Sequence, residues 1–297
     1  WISMPSRRCS TSTTLPPWSL SAARTASNSF LLAWTTTEGS YVATLDASLT
    51  TLAQPLRIAD VAYNVDAACN PTRCAVVMRD GNGASAIAGR LYVTGGYNKN
   101  TLFVYNPGTN TWVRKANLPS VAFYGAQGVI NGLLYVYGAT LGTTPGGHGF
   151  WRYNPSTNRW TTLRSPGFGH GFAASGVIAG KFYLAGGEDE TGPTANVESY
   201  NPATNKWTTK ASLPEPAVGM ASAVIGGKLY VAGGLGRIGL VSTLRLYDPL
   251  TNTWTTKAPM PSRRKFAASA VAGGRFFVMG GESGSTSAVR KVEAYLP

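Results

Sequence analysis

The sequence predicts an all-β fold assembled from copies of a single four-stranded unit. Three observations carry this reading. A tryptophan recurs at Trp112, Trp160, Trp207 and Trp254, at intervals of 48, 47 and 47 residues. Ahead of each stands one turn phrase: Tyr105-Asn106-Pro107, Tyr153-Asn154-Pro155, Tyr200-Asn201-Pro202 and Tyr247-Asp248-Pro249. An apolar-aromatic run also closes repeatedly on a glycine pair, at Gly95-Gly96, Gly186-Gly187, Gly233-Gly234 and Gly280-Gly281, while one copy reads Gly138-Ala139. Self-similarity at a fixed period of this length marks a repeat architecture.

Composition agrees. Charged residues are 13% of the 297, about half the usual share of roughly 25%. With 43% hydrophobic residues a sizeable core can form, so intrinsic disorder is excluded. The 35 glycines and 18 prolines suit a turn-rich chain, without the strict period of collagen. No heptad pattern and too few cysteines stand against a coiled coil or a small disulfide scaffold.

Within each unit, an Ala-rich run such as 267–272 supplies a first strand of small residues, suited to a crowded centre. After a Gly turn comes a Tyr/Val-rich second strand ending at the double glycine, which tolerates positive φ and close backbone approach. A variable loop leads to a third strand ending at Tyr-Asn-Pro. There Pro presets φ and Asn accepts the left-handed region. The fourth strand opens at Trp, and the large aromatics suit widening wedges between sheets. Sheets of this kind pack radially as the blades of a β-propeller.

These phrases resemble kelch repeats, whose hallmarks are the double Gly and the spaced Tyr and Trp. The likeness runs from about Ala84 to the C-terminus and implies a propeller. The last copy reaches Val292-Glu293-Ala294-Tyr295-Leu296-Pro297 and lacks a Trp strand. The chain starts at Trp1, with Met4-Pro5-Ser6-Arg7-Arg8 echoing Met260-Pro261-Ser262-Arg263-Arg264 after Trp254. Residues 1–8 are therefore expected to complete the last blade of a closed propeller. Residues 9–83 read as a diverged blade region, with strands at 29–34, 40–45, 55–58 and 74–78. One blade plus an extra hairpin there gives six blades in all; two compressed blades give seven. Six is the expectation, in a single domain over 1–297.

Lys and Arg outnumber Asp and Glu by 26 to 13, a net charge of +13. Such a field attracts polyanions, and an acidic glycan or a protein partner fits better than nucleic acid because the basic residues are scattered. No apolar run is long enough to span a membrane. Low charge with abundant Thr, Ser and Gly leans extracytoplasmic. The start at Trp1 suggests a processed form or a fragment. Cys69 and Cys74 flank a turn-like tetrapeptide that a local disulfide could bridge, leaving Cys9 over.

In kelch-like propellers the loop between the second and third strands shares a face with the inter-blade connection. The resemblance collects Arg79, Tyr124, Phe168, His170, Arg263 and Arg264 from connections on that face. Tyr97, Lys99, His148, Glu188 and Arg237 come from the loops. Rigid scaffolds carry binding residues on such loops. No nucleophile elbow, zinc motif, P-loop or dinucleotide fingerprint occurs. No cofactor or metal is therefore expected, and no catalytic residue is assigned. Kelch-type copper-radical oxidases cross-link a Cys to a Tyr, whereas every Cys here lies outside the repeats. A kelch-type mutarotase would oppose a carboxylate and an Arg at the channel, for which Glu188 and Arg237 are the candidates. The expected function is a non-enzymatic scaffold, with a lectin or carbohydrate-active enzyme at the channel mouth as the alternative. The conserved spacing also places Trp207 in the core.

Overall fold

The computed structural model describes, in the first 79 residues, only the backbones of seven strands. Beyond them it describes residues 83–95, 100–106, 109, 111–139, 148–272, 274–284, 289 and 291–297. The fold is all-β and propeller-like. Four sheets contain the repeat tryptophans and are named after them; each runs through its four antiparallel strands in chain order. The Trp112 sheet comprises Gly83–Ile87, Arg90–Thr94, Leu102–Asn106 and Thr111–Arg114. The Trp160 sheet comprises Phe123–Ile130, Leu133–Ala139, Gly149–Asn154 and Arg159–Thr162. Ala174–Ile178, Lys181–Ala185, Val197–Asn201 and Lys206–Thr209 form the Trp207 sheet. Ala221–Ile225, Lys228–Ala232, Leu244–Asp248 and Thr253–Lys257 form the Trp254 sheet.

The C-terminal sheet holds Ala268–Ala272, Arg275–Met279 and Val292–Tyr295, and its fourth strand is Ile2–Met4. The register sets Ile2 against Ala294 and Met4 against Val292. Before the repeats, Ser19–Arg24, Phe30–Thr36, Gly39–Leu45 and Leu56–Ala59 form another four-stranded sheet. A two-stranded hairpin, Asn64–Cys69 with Cys74–Arg79, follows it and places Cys69 opposite Cys74. Among the described residues, the diverged region thus holds one four-stranded sheet and a hairpin. Its first strand and the first hairpin strand, which carry little aromatic character, were missed in the sequence.

First strands pack beside first strands: Ser19–Arg24 lies against both Ala268–Ala272 and Asn64–Cys69, and the remaining sheets follow in chain order. The approach is close. A Cβ on Gly176 would sit 2.5 Å from Val224 of the neighbouring first strand. Gln127, Ser175, Ser222 and Ser269 hold one equivalent position, opposite Val136, Leu184, Val231 and Val278, and bond to the neighbouring first strands. The Gln127 amide donates to Ser85 Oγ (2.9 Å), Ser222 Oγ to the Ser175 carbonyl (3.0 Å), and Ser269 Oγ to the Ser222 carbonyl (2.8 Å).

Farther out, aromatic and branched residues fill the wedges between sheets. Phe150 and Tyr137 meet Phe182, Leu184 and Tyr200 in one such wedge, and Tyr183 and Val197 meet Leu229, Val231 and Tyr247 in the next. The repeat phrase explains itself here. Asn158, Asn205 and Asn252 adopt φ of 54, 52 and 55°, and their Oδ1 accepts the hydroxyl of Tyr153, Tyr200 or Tyr247 at 2.7–2.8 Å. The same Oδ1 accepts the backbone N–H of Ala116, Arg164 or Ala211 from the segment leaving the preceding sheet. The carbonyl of that residue in turn accepts the indole N–H of Trp160, Trp207 or Trp254 at 2.7–2.8 Å. Burial pushes the three tyrosine hydroxyls up to about 12, so they remain donors at every ordinary pH.

Trp207 is only part-buried, because the fourth strand is outermost and its indole lies across the wedge opening. Its ring packs 5.0 Å from Phe150 and 5.3 Å from Tyr200, centroid to centroid. Its ring therefore packs against the wedge as expected, but part-buried rather than as a fully buried core side chain. Trp207→Ala should destabilise by about 2–3 kcal/mol, less than the roughly 3–5 of a fully buried ring, as measured by denaturant unfolding.

Candidate binding face

Loops and connections do gather at one end. The connection entering each of three sheets pairs, backbone to backbone, with the loop after a second strand. Gly171 exchanges both bonds with Glu188 (2.8 Å each), Val218 pairs with Leu235, and Lys265 exchanges with Glu282 (3.0 and 2.9 Å). Double glycines permit this contact: Gly187 N–H donates to the Ala217 carbonyl, and a Cβ on Gly187 would meet the Gly171 carbonyl at 2.5 Å.

One residue further along, Tyr124, Phe172, Gly219 and Phe266 all take left-handed φ (42, 56, 67 and 53°). Their backbones form a chain of hydrogen bonds from sheet to sheet: Phe172 N–H to Tyr124 O (2.8 Å), Gly219 N–H to Phe172 O (3.0 Å), Phe266 N–H to Gly219 O (2.7 Å). Left-handed backbone at a bulky residue costs on the order of 1–3 kcal/mol, here offset by those bonds and by stacking. Tyr124 and Phe172 rings lie 4.0 Å apart and Phe172 and Phe266 5.0 Å apart, all part-exposed beside the first strands. Gly219 has no ring because Phe266 occupies its side-chain space, 2.6 Å from a hypothetical Cβ.

A second pattern escaped the sequence reading. The residue two before the repeat Tyr is Glu198, Arg245 or Glu293 in the last three sheets, and each pairs with the connection entering its own sheet. Glu198 Oε2 lies 3.2 Å from His170 Nε2, Arg245 lies 2.9 Å from Glu215, and Glu293 lies 2.7 Å from Arg264. The Glu198 carboxylate also accepts the N–H groups of Gly167 (3.0 Å) and Phe168 (3.1 Å). His170 Nδ1 faces the Gly186 carbonyl at 2.8 Å, and its backbone N–H donates to the Tyr137 hydroxyl at 2.8 Å. Arg264 Nη1 donates to the Gly280 and Lys291 carbonyls. The only signal was the fixed Tyr-minus-two spacing, visible once acid and base are read as interchangeable.

The expected site residues divide accordingly. Phe168, Arg237 and Arg263 are exposed, and Tyr124 is part-exposed at the aromatic chain. Glu188 is half-buried in the hairpin Glu188–Asp189 with Gly192–Pro193, where burial raises its carboxyl above the usual range. Asp189 is used in the turn, accepting from Thr191 N–H and hydroxyl. His148 Nε2 lies 3.1 Å from the Pro166 carbonyl, with its ring 6.1 Å from Tyr137. His170 and Arg264 are corrections: both are buried and held by internal partners, so neither is presented to a ligand. Arg79 ends a strand rather than lying in a connection. Tyr97 and Lys99 lie outside the described residues. No ion pair joins Glu188 to Arg237 and no group of three metal-binding side chains forms, among the described residues.

A model of the Attractin/LZTR1 β-propeller matches residues 91–295. The chain belongs to that family. Its kelch-type character, read from the double Gly, Tyr and Trp, is thereby borne out. Among solved structures, that of YjhT superposes on this propeller with a TM-score of 0.67 at 20% identity, covering 95% of this chain and 98% of that one. No curated protein matches the sequence. No helix among the described residues is long and apolar enough to cross a membrane.

Two consequences of the paired positions can be measured on the propeller. Glu293→Ala leaves the Arg264 guanidinium buried without its counter-charge and should cost about 3–5 kcal/mol in equilibrium unfolding. Replacing both members with apolar residues of similar volume should recover most of that loss. For Glu198, burial opposes ionisation, but the His170 hydrogen bond, the Gly167 amide, the His170 charge and the Phe168 amide together hold its carboxyl below the usual 4.5. A folded-state value below the unfolded one gives stability that is present above about pH 4.5 and lost as pH falls through the lowered value. Glu198→Gln should flatten the acid limb of a melting-temperature profile there and leave other regions of the curve parallel.

Proposed function

We propose that the chain is a non-catalytic propeller of six four-stranded blades, with the 64–79 hairpin as an extra element and Ile2–Met4 closing the ring. It binds a protein or an acidic glycan through its loop-rich face, outside the cytoplasm. One observation supports this most directly: the buried ionisable groups of that face are committed to internal pairs, while cations and aromatic surface are left outward. His170 and Arg264 are bound internally, whereas Phe168, Arg237 and Arg263 are exposed around the part-exposed Tyr124–Phe172–Phe266 chain. Active sites keep reactive groups poised for substrate. A binding face instead needs a rigid frame, contact area and a complementary field. The backbone ladder and the paired loops supply the frame, and the net charge of +13 supplies the field.

The aromatic chain also favours a second reading, a lectin that stacks a sugar at the channel mouth. Heparin is a suitable polyanionic probe for the first. Retention on heparin should fall steeply with NaCl and drop further in Arg237→Ala/Arg263→Ala, as expected of exposed charges. Retention indifferent to salt would remove the basic face as the steering element. A glycan array in which neutral sugars bind wild type and are lost with Tyr124→Ala would favour the lectin.

A further inference from the structure

His170 stands where two acceptors converge. Its ring is wholly buried, with Nδ1 2.8 Å from the Gly186 carbonyl and Nε2 3.2 Å from Glu198 Oε2. A carbonyl oxygen only accepts, and so does an ionised carboxylate. Glu198 is held as an acceptor by two amides as well, Gly167 N–H on Oε1 and Phe168 N–H on Oε2. A neutral imidazole carries one N–H and one bare lone pair. It can satisfy one of its two contacts, and in the other it sets a lone pair against oxygen. Only the doubly protonated ring fills both.

The last sheet contains the same fastening in permanent form. Gly171 pairs with Glu188 and Lys265 with Glu282, so Arg264 holds the place of His170, one residue earlier. Gly280 and Glu293 likewise hold the places of Gly186 and Glu198. The guanidinium reaches both at once, Nη1 to the Gly280 carbonyl at 3.1 Å and Nη2 to Glu293 Oε1 at 2.7 Å. Arginine keeps its charge at every ordinary pH. We infer that His170 is the titratable counterpart of Arg264, a latch that joins the 163–173 connection to both Gly186 and Glu198 only while the ring holds its second proton. Loss of that proton frees the connection from one of the two. The connection carries the exposed Phe168 and joins the aromatic chain at Phe172. The latch belongs to the frame and is independent of what the face binds.

The other ionisable groups around the ring leave this role to His170. Tyr137 accepts the His170 backbone N–H, and burial raises its hydroxyl far above the usual range, so it stays protonated. His148 touches the same connection at the Pro166 carbonyl through Nε2, a single contact that a neutral ring can donate. Glu188 meets Gly171 by its backbone, and the Asp189 carboxylate is engaged with Thr191.

Hydrogen–deuterium exchange of the full chain, corrected for the intrinsic rate at each pH, reads the latch. Residues 163–173 should exchange roughly fivefold more slowly near pH 5 than near pH 8, the span over which histidine ordinarily titrates. The 258–266 connection, held by Arg264, should stay level. His170→Gln, which does not titrate, should abolish the difference, and His148→Gln should preserve it. Equal exchange at the two pH values in the wild type, or a difference that survives in His170→Gln, overturns the inference. Should His170→Gln not fold, nitrogen-15 spectra of the histidine rings decide. The change in exchange must coincide with uptake of a second proton by the ring that His148→Gln leaves in the spectrum, and a change displaced from that titration overturns the latch.

Discussion

No sheet of this protein can bury its own faces, so everything rests on the contact between one sheet and the next. The Asn-Tyr-Trp staple is that contact at its outer end. One left-handed Asn oxygen takes a hydroxyl from its own sheet and an amide from the preceding segment, and the nearby indole returns a bond to the same segment. Both polar groups of one backbone residue are thus satisfied at the rim of the wedge. At the inner end the serine and glutamine positions perform the matching task between first strands. Aromatic packing between these two lines then has a fixed wedge to fill. Such a design adds stability sheet by sheet, by neighbour contacts alone.

Pairing of Ile2–Met4 with Val292–Tyr295 brings the two ends of the described chain into one sheet. Its cost is kinetic: that pairing has the largest sequence separation available, and long-range strand pairing is slow.

Much of this was legible in the residues. The four strands per unit and the double glycine follow from backbone chemistry that Gly, Pro and Asn announce; the strand borrowed from the N-terminus follows from the phrase it shares with Trp254 to Arg264, and the grouping of loops with connections from the kelch resemblance. The site was less legible, because burial depends on what a side chain meets across a wedge. His170 and Arg264 sit in Gly- and Arg-rich connections that read as solvated loops, yet each meets a Glu from a third strand. Trp207 reads as core because tryptophan usually is, yet its strand is outermost. Ser19–Arg24 and Asn64–Cys69 were missed because first strands are made of small residues, whose alternation is too faint to separate from loop.

The order of charges at the paired position has a consequence for identity among near-copies. Three successive sheets carry acid, base, acid on the third strand, and base, acid, base on the connections that meet them. Place a third strand in the next sheet of the series, and Glu198 would confront Glu215, or Arg245 would confront Arg264. Like charges brought together there repel, most of all at the buried Arg264, and disfavour that arrangement. Alternation thus acts as an address, telling otherwise similar segments which neighbour is theirs.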